Sequence, residues 1–309
     1  MKPITILIGL TVLAGSIASA NTEIIPLWDQ GVPFAGRPDG PAAKGQIASE
    51  EVRGGGVIRH ISTPRLTRVA PASDRANGTA VIICPGGGYT SLSHEREGLQ
   101  YARWLSTLGV TSFVLTYRLG DFGHPAPLQD VLRAMRIVRS RAAEFNVDVS
   151  RIGVMGSSAG GHLAASAGTL FRDPAGLTGE SLDSVEARPN FLILMYPVIS
   201  MRPGVTHPGS RSQLLGAHPD PALEARMSLE NSVETDTPTT LIIHAQDDQT
   251  VSIENSIRFF QALTKAGVAA EFYAFERGGH GMGMRRGLGT ASGWPGRVEE
   301  WLRQKGLVD

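Results

Sequence analysis

Three short stretches of this chain carry side chains able to move protons while bonds break. Gly156-Ser157-Ser158-Ala159-Gly160 fits G-x-S-x-G, where glycines permit a sharp strand-to-helix turn that pushes the serine into a strained, exposed position above a sheet. Downstream, "LIIHAQDDQTV" ends a strand-like run in the paired acids Asp247 and Asp248, and "FERGGHGMG" ends another in the glycine-flanked His280. A serine hydroxyl is a poor nucleophile at neutral pH. An imidazole must take its proton and return it to the leaving group, while a carboxylate fixes the imidazole tautomer and steadies its cation. The order Ser, Asp, His, each at the end of a core strand, is one of the orders that acyl-transfer enzymes use. The residues alone leave both acids open for the third role.

A fourth stretch, "CPGGGYTS", follows the apolar run at residues 79–84. Its glycines bring backbone N–H groups close to a bound carbonyl oxygen, so the amides of Gly87 and Gly88, with that of Ala159, are candidates for an oxyanion hole. No G-K-[ST] follows, which argues against a phosphate loop. His162 is expected to pack beneath the site rather than act as the base. His94, His124, His207 and His218 fall in polar or Pro-rich loops and could line a substrate cleft, though a surface position is the default. Asp130 and Arg118 are expected to pair structurally. No H-E-x-x-H or similar spacing points to a metal, so neither metal nor cofactor is expected. The single cysteine, Cys84, ends the run "TAVIIC" and reads as a small buried side chain, not a reactive thiol.

These groups need a scaffold that brings distant strand ends together. From Thr79 onward, short apolar runs alternate with longer amphipathic ones. "TAVIIC" precedes a helical pattern over 95–108, "VTSFVLTY" precedes one over 128–145, and "RIGVMG" precedes one over 159–169. "FLILMY", "TTLIIHA" with a helix over 253–266, and "AAEFYAF" with a final helix over 294–304 complete the series. This alternation predicts a mostly parallel sheet with helices on both faces. Residues up to about 76 read as a wrapping arm with one edge strand at "GVIRHIST". A Pro-, His- and Ser-bearing insertion at 197–237 is either a partial lid over the site or an ordinary long connection.

The opening "MKPITILIGLTVLAGSIASA" has one basic residue, an apolar run and the small-residue site Ala18-Ser19-Ala20, and reads as a secretory signal. Residues 21–309 then form one catalytic domain, secreted or periplasmic. Lys plus Arg and Asp plus Glu balance at 29 each, so charge offers no support for a nucleic-acid partner or an anionic membrane. The expected substrate is neutral or weakly charged.

The blocks "PGGGY", "EREGLQYARWLSTLGV", "FVLTYRL", "PLQDVLRAMRIVRSRA", "RIGVMGSSAGGHLAAS", "YPVI", "HAQDDQTVSIENS" and "GGHGMG" resemble the acetylxylan-esterase-like, carbohydrate-esterase branch of the bacterial α/β-hydrolases. That branch is related to feruloyl-esterase and hormone-sensitive-lipase-like esterases, and the resemblance covers nearly all of the chain beyond the signal. It implies the α/β-hydrolase fold, with Ser158 as nucleophile, Asp248 as the acid, His280 as base, and Gly87, Gly88 and Ala159 as oxyanion donors. Pro85 stands where lipase-like relatives have His, which argues against a lipase-like substrate, and Ser252 stands where Pro is common. The implied activity is that of a secreted serine carboxylesterase removing acetyl groups from plant polysaccharide through an acyl-enzyme, with an acetylated carbohydrate or small ester as partner. A feruloyl or other carboxylic ester hydrolase is the nearest alternative. A binding protein on the same scaffold is the alternative from another class, and the joint presence of Ser158, a downstream Asp and His280 argues against it.

Overall fold

The computed structural model describes residues 22–29, 31–33 and 36–309, so the expected signal at 1–20 lies outside the described residues. Its strands, in chain order, are β1 (Thr22–Pro26), β2 (Glu51–Arg53), β3 (Val57–Arg59), β4 (Arg65–Val69), β5 (Ala80–Cys84), β6 (Leu92–Ser93), β7 (Thr111–Thr116), β8 (Ile152–Ser157), β9 (Phe191–Met195), β10 (Thr239–Ala245) and β11 (Ala270–Phe275). Eight of them form one sheet in the order β1-β4-β7-β5-β8-β9-β10-β11. From β7 to β11 every neighbouring pair is parallel, and β4 runs antiparallel to both β1 and β7.

The α-helices are α1 (Gln100–Thr107), α2 (Ala126–Ser140), α3 (Ala142–Phe145), α4 (Ala159–Thr169), α5 (Pro208–Leu215), α6 (Pro221–Arg226), α7 (Glu254–Lys265) and α8 (Trp294–Gln304). Alternate residues of each central strand face opposite layers, as the two-residue period of a strand requires. Ala80, Ile82 and Cys84 of β5 pack with Leu132 of α2, Leu163 of α4 and Phe259 of α7. Val81 and Ile83 of the same strand pack with Leu105 of α1 and Trp301 of α8. The expected mostly parallel sheet with helices on both faces is therefore observed. Each large apolar side chain buried in these layers contributes roughly 1.5–3 kcal/mol.

The N-terminal arm differs from the expectation. "GVIRHIST" supplies β3, but β3 joins a separate small sheet, β2-β3-β6, and is not an edge of the main one. The main sheet is extended instead by β1 and β4, whose periodicity is weak because Ile24 of β1 faces solvent and β4 buries Leu66 and Thr67 in succession. The pattern over 128–145 also divides, into α2 and α3, at Arg141.

The arm is anchored by the anticipated pair of Arg118 and Asp130, both fully buried. Asp130 Oδ1 accepts from Arg118 Nη2 at 2.8 Å and from Trp28 Nε1 at 2.9 Å, and its Oδ2 accepts from the Arg118 backbone N–H at 2.8 Å. Arg118 Nη1 also donates to the Pro33 carbonyl at 2.9 Å. Arm, sheet and α2 thus share one ionic node. Cys84 is buried, and burial pushes its thiol pKa up, in keeping with a packing role.

His162, on α4, is fully buried: Tyr89 Oη lies 2.9 Å from its Nδ1, and Nε2 lies 2.9 Å from the Met227 carbonyl. A carbonyl only accepts, so Nε2 carries the proton, Tyr89 donates to Nδ1, and the ring is neutral. Burial pushes its pKa down to about 4.

Two outcomes are expected. Asp130→Ala leaves a buried guanidinium uncompensated and should cost about 3–5 kcal/mol in urea denaturation; a loss below 1 kcal/mol would mean the node carries no stability. Because the folded-state pKa of His162 lies below the ordinary histidine value, the unfolded chain binds more protons in between. Stability is full above the ordinary value and falls as pH drops toward about 4. The urea midpoint should decrease from pH 7 to pH 5, and a midpoint that rose would contradict a neutral His162.

Candidate active site

The order of the sheet creates the site. β5 lies between β7 and β8, so the chain leaves β5 toward one side and later returns to the other, opening a crevice at the carboxyl ends of β5 and β8. The glycine loop follows β5 and Ser158 follows β8, which brings the two to the same rim.

Ser158 itself adopts φ 55° and ψ −121°, a conformation disfavoured for any residue with a Cβ. Such strain costs on the order of 1–3 kcal/mol and persists only where the surroundings over-determine it. Here the Ser158 N–H donates to the Met195 carbonyl at 3.0 Å, and its carbonyl accepts from Val198 N at 3.0 Å and His162 N at 3.1 Å. The flanking glycines serve close packing. A Cβ on Gly156 would overlap the Gly160 carbonyl, and one on Gly160 would overlap the Cys84 carbonyl. Only with both positions bare can α4 seat its first turn against β5 and β8.

His280, on the loop after β11, reaches Ser158: its Nε2 lies 2.9 Å from Ser158 Oγ and its Nδ1 lies 2.6 Å from Asp248 Oδ2. Asp248 follows β10 and is buried. Its Oδ1 accepts from Thr250 N at 2.8 Å and Val251 N at 2.9 Å, while its Oδ2 lies 3.2 Å from His244 Nε2. Burial pushes the Asp248 pKa up, but the hydrogen bonds from His244, His280 and Val251 outweigh it and hold the carboxyl well below the usual range. The site therefore holds a carboxylate against the imidazole at neutral pH. Asp247 points elsewhere: its Oδ1 accepts from Gly278 N at 2.9 Å and Gly279 N at 2.7 Å, tying down the loop that carries His280.

Gly87 and Gly88 have φ 138° and 65°, and a Cβ on Gly87 would overlap the Ser91 carbonyl. Their N–H groups make no hydrogen bond within the described residues, and both glycines line the cleft with Ser158 and His280. Ala159 opens α4, so its N–H has no partner inside the helix. Three backbone N–H groups without a partner among the described residues thus lie on the glycine loop and at the residue next to Ser158.

Several residues of the site escaped the sequence reading. Glu97 lies in a widened, π-helical turn (His94–Leu99) where a regular helix over 95–108 was expected, and that turn carries its carboxyl inward. Glu97 Oε2 accepts from Gly86 N at 2.9 Å and Oε1 accepts from Tyr196 Oη at 2.8 Å. The Tyr196 ring in turn meets the His280 ring edge-on, with centroids 5.0 Å apart. One buried acid therefore connects the glycine loop to the support of the imidazole. Burial raises its pKa, partly offset by those two hydrogen bonds and by His280. Tyr117 Oη also fixes the loop through the Pro85 carbonyl at 2.7 Å. The signal for Glu97 was faint, since an acid in a polar, helix-like run reads as solvent-facing.

The cleft measures about 350 Å³ and is lined by Gly87, Gly88, Ser158, Glu97, His207 and His280 together with Thr90, Ser93, Gly209 and Thr250. Of the four loop histidines, His207 lines it, His218 is exposed, and His94 and His124 are half-buried elsewhere. His207 comes from the 197–237 insertion, which contains α5 and α6. Among the described residues no group of three His, Cys, Asp or Glu side chains is arranged to hold a metal ion, and no helix is long and apolar enough to cross a membrane.

Comparison with known proteins adds an independent line. An acetylxylan esterase of Xylanibacter ruminicola is 37% identical over 215 residues, which is 68% of this chain and 42% of that protein. An endo-1,4-beta-xylanase B of Butyrivibrio fibrisolvens is 34% identical over 243 residues, 76% of this chain and 38% of its own length. This chain thus spans about two-fifths of the length of these relatives. Among solved structures, an acetyl ester-xyloside bifunctional hydrolase from Caldicellulosiruptor lactoaceticus superposes with a TM-score of 0.78 at 35% identity, covering 93% of this chain and 97% of that one. The architecture is accordingly the α/β-hydrolase fold of esterases. The BD-FAE family profile matches residues 69–263, a span containing the glycine loop, the Ser158 turn and Asp248. With more than half of the chain matched and these strand-end groups inside the match, this protein belongs to the BD-FAE family.

Proposed function

We propose that the chain is a serine carboxylesterase that removes acetyl groups from plant polysaccharide such as acetylated xylan. The observation that carries this reading is the pair of hydrogen bonds from Ser158 Oγ to His280 Nε2 (2.9 Å) and from His280 Nδ1 to Asp248 Oδ2 (2.6 Å). His280 takes the Ser158 hydroxyl proton as Oγ attacks the acetyl carbonyl carbon. The charge that develops on the carbonyl oxygen falls to the N–H groups of Gly87, Gly88 and Ala159. The imidazolium, steadied by Asp248, then protonates the leaving sugar oxygen, and acetyl-Ser158 remains. Water, deprotonated by the same imidazole, attacks the acyl carbon and releases acetate, restoring the hydroxyl.

Support for the acyl group comes from the cleft. At about 350 Å³ and lined by glycines and short hydroxyl side chains, it has room for an acetyl group together with part of its alcohol. Support for the carbohydrate comes from relatives named as an acetylxylan esterase and a xylanase. Export through the N-terminal segment accords with a polymeric substrate outside the cytoplasm, and the segment 197–237 serves as a partial lid by contributing His207 to the cleft.

Ser158→Ala should abolish turnover of acetylated xylan and phenyl acetate, by about 10⁴-fold or more, in a protein that still folds. Retained activity would remove Ser158 from the mechanism, and rapid release of ferulate with little release of acetate would overturn the acyl assignment. Glu97→Ala strips the acceptor from both Gly86 N–H and Tyr196 Oη. It should lower kcat for phenyl acetate at least tenfold while KM moves little, because the loop donors act mainly in the transition state. An effect confined to KM would place Glu97 in ground-state binding instead.

A further inference from the structure

His207 faces the cleft with a donor that the acyl-transfer steps above leave unused. It is the N-cap of α5, and its Nδ1 accepts from the Ser210 N–H at 3.1 Å and lies 2.9 Å from Ser210 Oγ. A ring nitrogen that accepts from a backbone N–H holds no proton, so the proton sits on Nε2. Nε2 makes no hydrogen bond within the described residues and is not among the buried side-chain atoms lacking a partner, so it is solvent-accessible on a ring that lines the cleft. Burial, and then the neighbouring His280, push the His207 pKa down, and the ring stays neutral while the machinery operates. Bare backbone makes room for it: a Cβ on Gly209 would stand 3.0 Å from His207 Cε1, and one on Gly88 would stand 3.7 Å from the same atom. The ring therefore lies beside the oxyanion loop, held in place through the first turn of α5.

The chemistry of the substrate limits what this donor can meet. The acetyl methyl accepts no hydrogen bond, and the carbonyl oxygen belongs to the backbone donors of Gly87, Gly88 and Ala159. Acceptors that remain lie on the alcohol side, where a sugar carries hydroxyls next to the esterified oxygen. We propose that His207 is a specificity-determining residue whose Nε2–H donates to a hydroxyl adjacent to the ester on the alcohol portion of the substrate, selecting vicinal-diol monoesters over simple alkyl esters. This rests on the reading of the site as an acetyl esterase for carbohydrate, and it deepens that reading. The insertion thereby supplies the recognition of the leaving alcohol, while the core strands supply the acyl-transfer groups.

The test compares kcat/KM for ethylene glycol monoacetate with that for ethyl acetate, a pair differing by one hydroxyl, and adds an acetylated xylo-oligosaccharide. His207→Asn and His207→Ser both retain a side-chain acceptor for the α5 cap but fall short of the Nε2 position. Thermal melts report whether the fold is kept. In the unaltered enzyme the hydroxyl-bearing ester should be preferred, and in both variants the ratio of the two kcat/KM values should fall by about tenfold, the scale of one lost hydrogen bond. A ratio unchanged in both folded variants, or both esters losing activity in equal proportion, would overturn the assignment. The xylo-oligosaccharide separates the two readings. If the unaltered enzyme hydrolyses both small acetates but not the oligosaccharide, the polysaccharide assignment fails, and the diol-to-alkyl ratio still decides the role of His207.

Discussion

The contact between His280 Nδ1 and Asp248 Oδ2 is the interaction on which the arrangement depends. His280 sits on a loop after an outer strand, and a loop of glycines has little of its own to fix a ring at one angle. The carboxylate does so from a neighbouring strand end, because β10 and β11 are adjacent and parallel, so both polypeptide segments leave the sheet at one rim. Asp248 is itself held by two backbone N–H groups and lies against His244, so every lone pair facing the protein is engaged. A carboxylate saturated in this way keeps its charge despite burial, and a fixed negative charge favours the imidazole tautomer that leaves Nε2 free to accept from Ser158.

The turn at Ser158 exchanges local stability for position. Ser158 occupies a backbone conformation that a residue with a side chain avoids, and three backbone hydrogen bonds to segments from β9 and α4 keep it there. Gly156 and Gly160 contribute through what they lack. Without side chains at those positions, the first turn of the helix seats against two strands, next to the strand end from which the glycine loop departs. Ser158 is thus positioned by packing of main chain on main chain, which is rigid.

Beneath this layer, Glu97 couples elements that are remote in the chain. Its carboxyl holds Gly86 on one side and Tyr196 on the other, and Tyr196 supports the His280 ring. A buried acid is costly when unpaired, and here each oxygen has a donor. The Arg118–Asp130 node does comparable work just past the carboxyl end of β7, joining the N-terminal arm to α2. The pairing of Asp130 with Arg118 was expected from the sequence, whereas the partners of Glu97 emerge only from packing.

Pattern and motif were sufficient to name the alternating parallel sheet, the helices over 159–169 and 294–304, and Ser158, His280 and the Asp247–Asp248 pair, because strand and helix periods and strand-end glycines are local properties of a chain. The arm was less legible: β1 leaves Ile24 facing solvent and β4 buries Leu66 and Thr67 in succession, so neither shows a clean two-residue period. Between the two acids the resemblance pointed to Asp248, and the tertiary structure gives the physical reason: Gly278 and Gly279, from the loop after β11, bind Asp247, while the local amide of Val251 holds Asp248, whose other oxygen faces His280. That structure also brought Glu97 and His207 to the cleft and Tyr196 against the His280 ring behind it. Their roles come from proximity between segments some hundred residues apart, and a side chain's type and sequence neighbours carry no record of what will lie across from it once the sheet has formed.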